Sequence, residues 1–335
     1  MPLTGFAGVA EPRRLILLFG KPRSGTTWLG KIFDSHPDTL YRHEPDSLRG
    51  LSDIPQHISS AEYESYRKEI EEFISRLTSL RSAKICAKLP LFPKSYYSGL
   101  RFFFFRLNAI GAKVATRFGA EIPVYSFVNF KTIANLPIAW KSTESLGRLG
   151  AIMRLHPNAR CIILVRHPCG YVSSILRGEA QRSFTSRLPH AEDWGVFEKL
   201  LTTKQAQARG LTISDIKQMN PVERLAWRWL LFNENAMDDT DGIPSCKVVR
   251  YEDLCTDPLN VTKQMFDHVG LQWSEQTAGF LARSTAVEDS SYYGVFKNPV
   301  ESMSKWRKEL SQADIGCIMA IVKDSRPGRL FSSDV

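Results

Sequence analysis

Five apolar residues, Leu15-Ile-Leu-Leu-Phe19, run straight into Gly20-Lys21-Pro22-Arg23-Ser24-Gly25 and then into Thr26-Thr27-Trp28-Leu29-Gly30-Lys31. A short aliphatic run stopped by glycines and followed by a helical pattern is a strand–turn–helix unit, and it commits the chain to an α/β architecture. The helix is expected from Thr26 to Ser35 and must stop at His36-Pro37. A glycine-rich turn at this junction aims backbone N–H groups at one point and adds the positive end of the helix dipole, which makes a phosphate cradle. The spacing of Gly20 and Gly25 meets the P-loop pattern, which then demands lysine followed by serine or threonine. Thr26 stands at the lysine position, and the nearest cations, Lys21 and Arg23, lie inside the turn. A nucleoside triphosphatase needs the later lysine for its β- and γ-phosphates and the hydroxyl for magnesium. A cradle with its cation moved earlier suits a phosphate ester without a triphosphate tail.

The remainder of the chain supports an α/β fold, with a central, mainly parallel sheet flanked by helices. Further strands are expected at Lys84–Leu89, Pro137–Lys141, Cys161–Val165 and Lys247–Tyr251. Helices are expected at Glu62–Arg81, Ser145–Leu155, Gly170–Arg177, Pro221–Asn235 and Pro258–Val269, the last ended by Gly270. No internal repeat or low-complexity linker divides residues 1–335, so one domain is expected, with 1–13 flexible and 94–128 an acceptor-side insertion. Within that insertion Leu100–Ala120 holds Phe102-Phe-Phe-Phe105 beside Arg101, Arg106, Lys113 and Arg117, too many charges for a transmembrane helix. It is expected as a helix that buries its apolar side and turns its charges outward. The alternatives are an interfacial helix in peripheral membrane contact or a lid over an apolar acceptor.

The six cysteines are scattered without a C-x-x-C pair, so no metal site is expected and most are read as reduced core residues. No signal peptide is visible at the start, and a cytoplasmic location is the expectation. The net charge of +9 favours an anionic partner. The basic residues are dispersed rather than massed on one segment, which argues against nucleic acid.

A second segment narrows the choice. Cys161-Ile-Ile-Leu-Val is apolar enough for a strand buried on both faces, and Arg166 leaves it at its carboxyl end, where open α/β sheets bind ligands. Ser174 follows eight residues later, in the next helix. An arginine giving two parallel hydrogen bonds and a hydroxyl giving a third would make a phosphate site; taken alone, the segment equally allows a surface ion-pair arginine and a helix hydroxyl.

Together, Lys21-Pro-Arg-Ser-Gly-Thr-Thr-Trp-Leu29 resembles the 5′-phosphosulfate loop of the sulfotransferase superfamily, and Val165-Arg-His-Pro168 with Ser174 resembles its 3′-phosphate motif. Val249-Arg-Tyr-Glu-Asp-Leu254 and Ser304-Lys-Trp-Arg-Lys-Glu-Leu310 look like further landmarks, in family order from Leu15 to Leu310. The flavour is closest to carbohydrate O-sulfotransferases and their bacterial relatives.

The resemblance implies a P-loop-like sulfotransferase fold, with 3′-phosphoadenosine-5′-phosphosulfate (PAPS) as donor and an acceptor hydroxyl on a carbohydrate, lipid-linked or small-molecule alcohol. It implies that Lys21, Arg23, Ser24, Gly25, Thr26 and Thr27 hold the 5′-phosphosulfate, Arg23 also steadying the leaving group. Trp28 packs beside adenine or anchors the helix. Arg166 and Ser174 take the 3′-phosphate, and Lys297 is a candidate cation on a closing loop. No Lys-Thr-His segment of the phenol and steroid type is present; Lys88-Leu-Pro and Lys141-Ser-Thr are the nearest. His43-Glu44-Pro45 resembles the Glu-Pro element of carbohydrate-type members, so Glu44 is the candidate base, with His43 behind it. Glu252 and Asp253 are read as structural. The sulfuryl group carries less charge than a phosphoryl group, so no metal is needed. Two other readings stay open: a P-loop kinase or nucleotide phosphotransferase, and an inactive nucleotide-binding protein of the same fold.

Overall fold

The computed structural model describes residues 14–47, 51–59, 61–129, 132–133, 135–183, 188–286 and 298–334. Five strands, β1 (Leu15–Phe19), β2 (Leu40–His43), β3 (Ile138–Ser142), β4 (Arg160–Val165) and β5 (Cys246–Arg250), form one parallel sheet in the order β2-β3-β1-β4-β5. Alternation along the strands divides the core in two. Leu15, Leu17 and Phe19 of β1, with Cys161, Ile163 and Val165 of β4, face one layer; Ile16, Leu18, Ile162 and Leu164 face the other.

The first layer is covered by α4 (Pro168–Ala180), α5 (Pro221–Asp239) and α10 (Gln312–Val322). The second is covered by α1 (Thr26–Ser35), α7 (Pro258–Val269) and α8 (Glu275–Ala286). Helix starts follow their local chemistry. Asn220 and Glu223 form a capping box around Pro221 at the start of α5, and Gly270 ends α7 at φ 71°. Helix α1 stops where His36, held extended before Pro37, can no longer continue it.

Most expected elements are present within a residue or two. The Glu62–Arg81 pattern resolves into a 3₁₀ turn at Tyr63–Tyr66 and α2 (Arg67–Arg76). Two readings need correction. Lys84–Leu89 is not a strand: Ala83–Cys86 is one helical turn, and Ala83 and Ala87 pack on Ala109 and Ala112 of α3 (Gly99–Arg117). Small side chains favour close helix approach there, and a short apolar run does not reveal its period. The edge strand is instead β2, just after α1. Nor does α3 turn only charges outward: Phe103, Phe104, Leu107, Ile110 and Val114 all stand exposed. All six cysteines are free thiols, with Cys161, Cys169 and Cys255 buried.

A buried ionic triad ties the end of α1 to the segment before α3. The Lys31 ammonium binds the Asp34 carboxylate and donates to the Lys88 carbonyl at 2.8 Å. Lys94 donates to the Asp34 and His36 carbonyls at 2.5 and 3.0 Å and lies 3.1 Å from the Asp34 carboxylate. Burial drags Lys31 down to about 8, against the attraction of Asp34. Removing the one anion strands two buried cations, which costs far more than the pairs contribute net. Asp34→Leu is expected to lower the unfolding free energy by about 3–5 kcal/mol in urea titration. Asp34→Leu combined with Lys31→Met and Lys94→Met is expected to recover most of that loss.

Candidate active site

Parallel register brings the chemistry to one edge. Phe19 lies opposite Ser142 and Ile163, His43 opposite Lys141, and Val165 opposite Arg250, so the residues after each strand meet at the carboxyl side of the sheet. The strand order reverses direction around β1, and crevices of this kind are where open α/β sheets bind ligands.

The turn after β1 is held in an unusual shape. Arg23 at φ 73° and Gly25 at φ 87° both lie in the left-handed region, which costs Arg23 strain and Gly25 almost nothing. A Cβ at Gly25 would run into the Tyr251 ring, and one at Gly20 would sit 2.6 Å from the Leu164 carbonyl. The turn therefore nestles against the ends of β4 and β5, with the first N–H groups of α1 at its mouth. Ser24 is fully buried and its hydroxyl has no partner among the described residues. Thr26 is buried and Thr27 half-buried in the first turn of α1.

The two candidate phosphate motifs are in direct contact. Arg23 Nε donates to Ser174 Oγ at 3.1 Å, and Arg166 donates to the Arg23 carbonyl at 2.9 Å. Arg166 also donates to the Ser302 carbonyl at 2.8 Å from α9 (Pro299–Ser304), while its buried Nε has no partner among the described residues. Its guanidinium lies 5.0 Å over the Tyr251 ring, and its backbone carbonyl accepts from the Trp229 indole at 2.9 Å. Ser174 is fully buried in α4. A buried hydroxyl and a buried guanidinium nitrogen without partners beside a helix N-terminus fit an anionic phosphate ester.

Not every expected residue joins this cluster. Trp28 is buried among the core of the second layer and donates its indole N–H to Ser284 Oγ at 3.0 Å. Lys21 is buried with its ammonium 3.1 Å from the centre of the Phe232 ring of α5; burial and the Arg228 charge hold it well below the usual lysine range. Lys297 lies outside the described residues.

On the other flank of β1, Glu44 follows β2 at φ 47°. Its carboxylate is ion-paired with Lys141 and accepts from Thr143 at 3.2 Å. Burial alone would raise its pKa, but the Lys141 ammonium overrides it and leaves Glu44 at about 2. His43, bonded through Nδ1 to the Tyr41 hydroxyl at 2.8 Å, is buried and held neutral at about 3. Lys88 is close enough to Lys141 and Glu44 to feel both charges. Lys141, Tyr251 and Ser302 were not singled out from sequence as contacts. An ionisable residue one short of the end of β3, after the apolar Ile138-Ala-Trp140 and beside the cradle strand, was the available signal for Lys141. Among the described residues no group of three or more His, Cys, Asp or Glu could hold a metal.

A parallel sheet with a glycine-bearing turn after its central strand, and an arginine–serine pair from the next one, defines an α/β protein of the P-loop-like type. The model of the sulfotransferase family matches residues 16–275, and the chain belongs to that family. Carbohydrate sulfotransferase 2 of Homo sapiens is 23% identical over 348 residues, covering 92% of this chain and 63% of that protein. The Mus musculus protein of the same name is 22% identical with the same coverage. The chain thus spans 63% of the length of these curated relatives. Among solved structures, the sulfotransferase domain from the Synechococcus PCC 7002 olefin synthase has a TM-score of 0.46 at 18% identity, with 97% of this chain and 96% of that one covered. A mouse sulfotransferase complexed with PAP has 0.45 at 12% identity, covering 96% and 89%.

Glu252 Oε1 accepts the His167 backbone N–H at 3.0 Å, fixing the chain just after Arg166, while Oε2 is buried without a partner among the described residues. Burial pushes its pKa up to about 7, against the pull of Arg166. The folded protein therefore keeps a proton that the unfolded chain releases near 4.5. This contribution to stability is complete below about pH 4.5 and is lost as pH rises through about 7. Unfolding free energies measured between pH 4.5 and 8 are expected to show that fall in the wild type and a flatter profile in Glu252→Gln.

Proposed function

We propose that the protein transfers the sulfuryl group of PAPS to an acceptor hydroxyl. The observation that carries this is the junction of Arg23, Ser174 and Arg166, which makes one anion site from two segments far apart in sequence. In this reading the turn and the first N–H groups of α1 hold the 5′-phosphosulfate with Ser24, Gly25, Thr26 and Thr27. Arg166 and Ser174 hold the 3′-phosphate. The acceptor oxygen forms a bond to sulfur as the bond from sulfur to the 5′-phosphate oxygen breaks. Arg23 and the helix N-terminus stabilise the charge that develops on that leaving oxygen.

Glu44 takes the hydroxyl proton. Held by Lys141 it is a weak acceptor. It becomes a better one as the Lys141 ammonium turns towards the anionic sulfuryl group, so charge at the donor and basicity at the acceptor are linked. The curated relatives support a carbohydrate hydroxyl as acceptor. The absence of a P-loop lysine at Thr26 weighs against the kinase reading.

Calorimetric titration with adenosine-3′,5′-bisphosphate tests the donor site. Arg166→Ala is expected to weaken binding by about a hundredfold, and ATP to bind the wild type much more weakly. Arg23→Ala is expected to lose transfer by about 10²–10³-fold. Tight magnesium-dependent ATP binding that ignores Arg166 would return the kinase reading.

A further inference from the structure

Ten of the fourteen large apolar side chains that stand exposed among the described residues fall between Leu100 and Phe127. They are not scattered. At about 3.6 residues per turn, Leu100, Phe103, Phe104, Leu107, Ile110 and Val114 line one stripe of α3, and Phe118, 84% exposed, continues it past the helix end. The opposite side of α3 does the packing: Ala109 and Ala112 are buried against Ala83 and Ala87, with Phe105 beside them. The stripe therefore points away from the body of the protein. A lid would turn its apolar face inward over the site, so this stripe does not serve as one.

The charge pattern selects the occupant. Helix α3 carries Arg101, Arg106, Lys113 and Arg117 and no acidic residue, and the chain as a whole carries +9. Arg106, Lys113 and Arg117 lie along one flank of the stripe and Arg101 along the other. A second copy docking through the same face would set these cations against one another without a counter-charge from α3. A surface that accepts aromatic side chains between cations and supplies negative charge around them is an anionic lipid interface. No helix among the described residues is long and apolar enough to cross a membrane, so α3 lies on such a surface rather than through it.

We infer that α3 is a membrane-docking helix, which seats Phe103, Phe104, Leu107, Ile110 and Val114 in the interfacial layer of an anionic bilayer, with its arginines and Lys113 on the headgroups. The site and the surface are neighbours. Lys113 of α3 is within electrostatic reach of Lys88, which in turn senses Glu44 and Lys141. Docking therefore brings the Glu44 side of the site to the lipid surface.

The test is flotation of the full chain with vesicles of phosphatidylcholine and phosphatidylserine in a roughly two-to-one ratio, beside pure phosphatidylcholine. The wild type is expected to float with the anionic vesicles, and several-fold less at high salt or without phosphatidylserine. Phe103→Ser/Phe104→Ser/Leu107→Ser is expected to lower the partition at least about tenfold, and Arg106→Glu/Arg117→Glu comparably. Leu259→Ser, an exposed apolar position on α7, is expected to float like the wild type. The three substituted apolar side chains are about half exposed, so unchanged circular dichroism and melting temperature are expected in the triple variant. A wild type that stays unbound to anionic vesicles, or a triple variant that floats as well as the wild type, overturns the inference. So does a dimer in sedimentation equilibrium that the triple variant abolishes while vesicles go unbound, because the stripe would then belong to a second copy. None of these readouts depends on sulfuryl transfer.

Discussion

The Arg166 guanidinium holds the donor side of this protein together. One nitrogen binds the Arg23 carbonyl in the cradle turn, another binds the Ser302 carbonyl on α9, and the plane rests over Tyr251 beyond β5. Three distant segments thus converge on a single cation at the end of β4. The cation is itself fixed from behind, since the Trp229 indole holds its carbonyl and Glu252 holds the next backbone N–H. Arginine suits this place because its planar fork keeps several donors in fixed directions and its face tolerates an aromatic ring. A lysine could not satisfy two carbonyls and still lie flat on Tyr251. The cradle's strained turn persists because this scaffold over-determines it.

The same economy of charge governs the acceptor flank, with the opposite consequence. Glu44, Lys141 and Lys88 are each partly or fully withdrawn from water, and burial works against the charged forms of Glu44 and Lys88. Mutual pairing keeps Glu44 anionic and at the same time suppresses its basicity. His43, one residue away, has lost its charge altogether under the combined weight of burial and Lys141. The base role proposed for Glu44 therefore depends on something else engaging its lysine.

Much of this was legible in the sequence, and the reasons differ by residue. The cradle could be read because Gly20 and Gly25 answer to backbone geometry, which leaves little freedom in residue choice. Arg166 could be read because it interrupts a buried strand at its functional end. Tyr251 and Ser302 could not, because each contributes through packing or a backbone carbonyl, and any sequence supplies carbonyls. The strand expected at Lys84–Leu89 failed because alanine pairs across two helices leave no periodic signal in so short a run. The outer face of α3 misled for a simpler reason: the rule that apolar residues turn inward presumes water on the other side.

Topology explains why the donor and acceptor roles proposed for the two flanks fall on opposite sides of the cradle strand. Strand β1 stands at the centre, with β2 and β3 on one side and β4 and β5 on the other. Arg166, Ser174 and Tyr251 reach the cradle from the β4–β5 side, while Glu44, Lys141 and Lys88 come from the β2–β3 side. An in-line displacement needs the attacking and leaving oxygens on opposite sides of the transferred sulfur. A sheet that sends its chain first to one side of the cradle strand and then to the other supplies that opposition before any side chain is chosen. The chain segment holding α3 belongs to the β2–β3 side, inserted between those two strands. Whatever surface α3 contacts is therefore met from the β2–β3 side of the cradle strand.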